Sequence, residues 1–161
     1  MERRLALTPL YKYWQLITIF LVTGLIVICL HSLDNTSVSA QNIPTGDAWQ
    51  QVYQQLPDLP KENQYISRES SKVAERNTLV SRMVNYHMYI KGRSPNFRLD
   101  WKLTLADYLG VNEIIYDSSY PGNDSLKKNP LDGDRAVIKR LNRKQRNALV
   151  EALVNAFLSG R

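Results

Sequence analysis

An uninterrupted apolar run, WQLITIFLVTGLIVICL at residues 14–30, constrains this chain more than any other feature. It holds no Asp, Glu, Lys or Arg, and that freedom from charge extends over residues 13–33. Such a length approaches the ~20 apolar residues of a membrane-spanning helix. A basic leader (Arg3, Arg4, Lys12) precedes it, and Val38-Ser39-Ala40 follows as a small-residue cleavage pattern, as in a secretory signal. Two fates stay open: a signal peptide cut after Ala40, or a retained signal-anchor with Tyr11, Tyr13 and Trp14 at the interface. Either way, residues 1–40 address a membrane and the basic end stays cytoplasmic. Residues 41–161 are then expected as an exported globular domain in a thylakoid lumen, periplasm or extracellular space.

That address limits the chemistry. The single cysteine, Cys29, lies inside the apolar run, so residues 41–161 offer neither a disulfide nor a thiolate. The 161-residue chain carries a formal +6. Of its 21 basic and 15 acidic residues, Arg3, Arg4, Lys12, Glu2 and Asp34 precede residue 41, which leaves +5 beyond it. Mild basicity favours acidic protein faces or anionic lipid, and the exported address argues against nucleic acid.

Periodicity predicts a mainly α domain of three or four helices with one or two short strands. Trp49, Val52, Tyr53 and Leu56 repeat at i, i+3, i+4 and i+7, and Pro57 and Pro60 end that helix. A long central helix is expected over residues 67–91, with Leu79, Val80, Met83, Val84, His87 and Ile90 on one side and Gly92 as its cap. Residues 97–103, FRLDWKL, alternate apolar and charged like a half-buried strand, although a helical period also fits residues 98–109. A short helix from Thr104 would stop at Gly110, and residues 111–116 suit either a second short strand or an apolar loop. Residues 117–134 are rich in Asp, Asn, Ser, Gly and Pro and read as a long loop. Asn142 and Gln145 form a capping box for a last helix with Ala148, Leu149, Ala152, Leu153, Ala156 and Phe157 on its apolar face.

No assembled catalytic motif is present. His87, the only histidine of residues 41–161, is a candidate acid–base group, but a lone histidine on an apolar helix face is more often a core residue with a hydrogen-bond partner. Zinc needs three or four ligands, and one imidazole does not supply them. Asp117, Asp124, Asp132 and Asp134 gather in the loop, yet Arg143 stands where a calcium loop needs its Glu, and turn chemistry explains the aspartates. Glu69, Glu75, Asp100 and Asp107 read as surface partners of Lys and Arg. No cofactor is expected. The most unusual feature is basic: Lys139, Arg140, Arg143, Lys144 and Arg146 place five cations in eight residues. Three of them sit where a helix N-terminus disfavours positive charge. They are the candidate partner-binding residues, for an acidic protein or anionic lipid. The blander expectation is a solvated face neutralised by Asp132, Asp134 and Glu151.

Residues 86–110, YHMYIKGRSPNFRLDWKLTLADYLG, with residues 134–157, DRAVIKRLNRKQRNALVEALVNAF, give the chain a texture that resembles small uncharacterised exported proteins of cyanobacteria. The resemblance implies no activity and transfers no functional residue; it favours a lumenal or periplasmic address. The expected function is a non-enzymatic accessory or interaction protein. The alternatives are a small exported hydrolase using His87 or carboxylates of the 117–134 loop, and an anionic-lipid binder acting through residues 139–146.

Overall fold

Trp101, Thr104, Leu105 and Tyr108 are all buried, at i, i+3, i+4 and i+7. That spacing winds residues 98–109 into a helix rather than the strand their alternation suggests. The computed structural model describes residues 45–158. The apolar run at 14–30, its signal or anchor expectation, and Gly160 lie outside the described residues. Within them are five α-helices and no strand: α1 (Thr45–Gln55), α2 (Leu79–Asn85), α3 (Arg98–Leu109), α4 (Leu131–Arg140) and α5 (Arg143–Leu158). None is long and apolar enough to cross a membrane. The architecture is mainly helical, as expected, with more helices than the three or four expected and without the two strands. Residues 111–116 are loop, of which only Ile115 is buried.

The core forms where α1 packs on α2 and α5, and α3 packs on α4 and α5. Ala48, Val52 and Tyr53 of α1 face Leu149, Val150, Ala152, Leu153, Ala156 and Phe157 of α5 in one buried cluster. Trp101 stacks on His87 (3.6 Å between centroids, 8° between planes) and on Phe157 (6.1 Å, 27°). The outer side of α3 is apolar as well: Leu99 is 67% and Leu103 37% exposed. That second apolar side produces the alternation that mimics a strand.

The expected 67–91 helix is corrected. Thr78 ends the irregular segment and starts α2: its hydroxyl accepts the Ser81 amide (3.1 Å), and the Ser81 hydroxyl accepts the Thr78 amide (2.8 Å). Residues 65–74 instead fold back on themselves. The Ser67 amide donates to the Lys72 carbonyl (2.8 Å) and the Ala74 amide to the Tyr65 carbonyl (2.9 Å), with single bridges Ile66–Val73 and Ser67–Leu126. The charge pairs Glu69–Lys72 and Lys72–Glu75 contribute only ~0.2–0.5 kcal/mol each to a helix, less than a reciprocal cap and several tertiary hydrogen bonds. Beyond α2 the chain makes a π turn over Tyr86–Ile90, closed by the Lys91 amide on the Tyr86 carbonyl (3.0 Å). The wider turn keeps adjacent Tyr86 and His87 buried, while Ile90, expected on the inner face, is 45% exposed.

Gly110 ends α3 in the left-handed conformation (φ 75°), a geometry that costs glycine little. Asn142 and Gln145 form the capping box read from the sequence. The Gln145 amide donates to Asn142 Oδ1 and the Asn142 amide to Gln145 Oε1, both at 2.9 Å. Asn142→Ala is expected to cost about 1 kcal/mol, read as a lowered urea midpoint of the full chain in neutral detergent.

Candidate functional site

The five expected partner-binding cations lie along the end of α4 and the start of α5. Lys139, Arg140, Arg143 and Lys144 are exposed, and Arg146 is half-buried. None of the acids expected to neutralise them does so. Asp134 is paired with Arg82, Glu151 with Arg98 (3.1 Å), and Asp132 forms no ion pair among the described residues. Among the described residues none of the five cations has an ion-pair partner; Arg146 Nη1 donates to the Leu141 carbonyl (2.8 Å). Beside them a recess of 250 Å³ opens between α3 and α5. Lys102, Arg143, Arg146 and Asn147 edge it, and Leu105, Ala106, Leu109 and Val150 line the rest. The structure thus gathers Arg143 and Arg146 with Lys102, a residue the sequence reading left out. Lys139, Arg140 and Lys144 do not line it.

Two other recesses are present. One of 210 Å³ lies where α1 ends, against Leu141, Gln145 and Ala148. One of 310 Å³ is lined by Asn85, Tyr89, Ile90, residues 118–121, Asn123 and Asp124. His87 lines none of the three. It is fully buried, with Nδ1 2.8 Å from Thr104 Oγ1 and Nε2 3.1 Å from the Ser94 carbonyl. A carbonyl only accepts, so Nε2 carries the proton. Thr104 Oγ1 already accepts from Arg93 Nη1 (2.9 Å) and gives its own hydrogen to Nδ1. Burial pushes His87 down to about 4, the Ser94 carbonyl opposes that shift, and the Arg93 charge adds to it. The ring is a neutral, doubly bonded core group.

The loop carboxylates do not converge. Asp117, Asp124 and Asp132 are exposed, whereas Asp134, expected in the loop, lies in the first turn of α4 and is fully buried. The loop ends at Pro130 and is held down by buried Tyr120 and Leu126 and by Arg68, whose Nε donates to the Leu126 carbonyl (2.6 Å). No three His, Cys, Asp or Glu among the described residues stand close enough to hold a metal ion.

Two buried ion pairs escaped the sequence reading. Arg82 grips Asp134 with two parallel bonds, Nε to Oδ2 (2.7 Å) and Nη2 to Oδ1 (2.6 Å). Its remaining donors reach the Glu62 carbonyl (2.7 Å), Asn77 Oδ1 (2.9 Å) and the Asn77 carbonyl. The Tyr120 hydroxyl donates to Asp134 Oδ2 (2.5 Å), so Tyr108 must donate to Tyr120 (2.7 Å) in a chain directed at the carboxylate. Burial raises the Asp134 carboxyl above its ordinary value, and the Arg82 bonds and the Tyr120 hydroxyl oppose that rise. Tyr65 covers Arg82, its ring 5.3 Å away. A Cβ at Gly133 would meet the Tyr65 hydroxyl, at the end of a half-buried side chain, so a larger residue there would displace the ring that covers Arg82.

Asp107, expected on the surface, is fully buried under Arg93 (Nη1 to Oδ2, 2.6 Å). It also accepts from Tyr86 (3.1 Å), Asn112 (2.7 Å) and the Glu113 amide (3.0 Å). Burial pushes this carboxyl up, but Arg93, the Glu113 amide and Asn112 bring it below its ordinary value. Tyr86, Tyr108 and Tyr120 lie edge to face or tilted at 5.8–6.3 Å and link the two pairs. No buried side-chain nitrogen or oxygen among the described residues lacks a hydrogen bond. These charges are spent inside the fold and face no cavity of the three, whereas the charges of the open basic edge are not engaged in ion pairs among the described residues. No family model, curated protein or solved structure matches the chain.

Proposed function

We propose that this chain is a non-enzymatic accessory protein, delivered to or across a membrane by residues 1–40, that docks a lumenal or periplasmic partner. The single observation that carries this reading is the uncompensated basic edge: five cations with no ion pair among the described residues, two of which, Arg143 and Arg146, edge a recess with an apolar lining. Lys139 and Arg140 end α4, where the dipole favours cations, but Arg143, Lys144 and Arg146 gather at the start of α5, where it opposes them by several tenths of a kcal/mol per charge. That cost is returned when an acidic face neutralises them. The hydrolase alternative draws no support from His87, which is neutral, bonded at both nitrogens and closed from solvent.

Photo-crosslinking tests the proposal. The full chain, carrying a photoreactive residue at exposed Lys139 or Asn147, is irradiated in native membranes. Discrete protein adducts are expected at both positions, fewer at exposed Asp124, which lines a different recess with no residue of α4 or α5, and loss in the Arg143→Gln/Lys144→Gln/Arg146→Gln variant. Equal labelling at all three positions, or none, would sink it.

A further inference from the structure

The recess between α3 and α5 follows the two helices that form it. Arg98 of α3 pairs with Glu151 of α5, while Lys102, Leu105, Ala106 and Leu109 share the recess with Val150, Asn147, Arg146 and Arg143. Residue numbers rise on one side as they fall on the other, so the helices run antiparallel and the groove lies along both. From Lys102 to Leu109 the recess spans ~10 Å at 1.5 Å per residue, about two turns of a helix laid into it. The Arg98–Glu151 pair closes one end; both side chains are over half exposed, so it contributes little. The other end carries Arg143 and Arg146, with Lys102 on the α3 side.

From this arrangement we infer that the groove receives a short acidic amphipathic helix of a partner protein. Its apolar side chains would rest on half-buried Ala106 and Leu109, above the buried Leu105 and Val150, and its carboxylates would meet Lys102, Arg143 and Arg146. Three features select that occupant. The charge is one-signed, because no ion pair engages Lys102, Arg143 or Arg146 among the described residues. The volume, 250 Å³, falls below the ~300–1,000 Å³ of pockets that engulf small molecules and suits one or two side chains. The apolar lining lies between two helices, where a flat bilayer surface does not reach, whereas a helix-in-groove contact does.

The inference rests on the docking function proposed above, and its test is separable from that one. The full chain in neutral detergent is titrated at low salt with fluorescein-labelled 16-residue helical peptides, read by anisotropy. The first peptide has Leu at i and i+4 flanked by Glu at i+3 and i+7. The second has the same composition with its leucines spread around the helix, and the third replaces Glu by Lys. The first is expected to bind, and the other two to bind about tenfold or more weakly. Lys102→Gln/Arg143→Gln/Arg146→Gln, and separately the exposed Asn147→Glu, are expected to weaken the first peptide by about tenfold, with near-ultraviolet dichroism unchanged. Equal binding of the first and second peptides would show charge attraction without a groove and overturn the inference. So would an unaffected triple variant, or flotation with phosphatidylglycerol vesicles that needs the three cations while no peptide binds. Crosslinked adducts at Lys139 without peptide binding would refute the acidic helix alone; absence of adducts would refute the docking function as well.

Discussion

Arg82→Met is expected to destabilise the chain by about 3–5 kcal/mol, the usual cost of removing one partner of a buried ion pair. That is a large share of the ~5–15 kcal/mol that holds a domain together. Arg82 is 1% and Asp134 0% exposed, so the variant leaves a carboxylate in the core with only the Tyr120 hydroxyl to stabilise it. Arg82 also carries the bonds that fasten Glu62 and Asn77. The two contributions separate in Arg82→Met/Asp134→Asn, which removes the stranded charge yet keeps an acceptor for Tyr120. This double variant is expected to recover on the order of 1–2 kcal/mol. The remainder belongs to the 61–77 segment, whose amides at Ser67 and Ala74 should exchange hydrogen faster in both variants. Urea unfolding of the full chain in neutral detergent measures the first effect, and hydrogen exchange the second. A single-variant cost below about 1 kcal/mol would mean that the pair is not buried as described.

The same arginine shows why part of the fold was legible in the sequence and part was not. Ends of helices were readable where the signal is local: Asn142 with Gln145, Gly110, and Pro57 after α1 act within a turn. The start of α2 was not, because charges at 69, 72 and 75 favour a helix locally, while Thr78 and long-range bonds from Arg82 and Arg68 hold the segment in another shape. The α3 error has a different origin. A helix apolar on both sides, with Trp101 and Leu105 inside and Leu99 and Leu103 outside, loses its 3.6-residue signature. The candidate surface was half legible. Five cations in eight residues are visible in any sequence, but Lys102 joins them only through the packing of α3 on α5. Asp107 and Asp134 look like ordinary surface acids until their arginines, 14 and 52 residues away, close on them.

Acid will expose the other buried polar group. Stability is expected to fall as pH drops from 6.5 toward 4, because His87 is held down to about 4 in the fold while the unfolded chain keeps the ordinary 6.5. The unfolded state therefore binds the extra proton first. His87's contribution is complete above 6.5, erodes through that window and is gone below about 4. At about 1.4 kcal/mol per pH unit, the loss is on the order of 3 kcal/mol. The cause is local. A proton on Nδ1 would face the Thr104 hydroxyl, which already accepts from Arg93, beside a fixed positive charge and with Trp101 stacked 3.6 Å away. His87→Asn separates this from other acid effects. It should lose the stacking as a constant offset at every pH, and its stability should vary with pH less steeply between 6.5 and 4. Groups that titrate alike in both proteins cancel in the difference. Parallel curves for the two proteins would refute the assignment. A nitrogen-15 spectrum showing the proton of neutral His87 on Nε2 would support it independently, since only that tautomer donates to the Ser94 carbonyl.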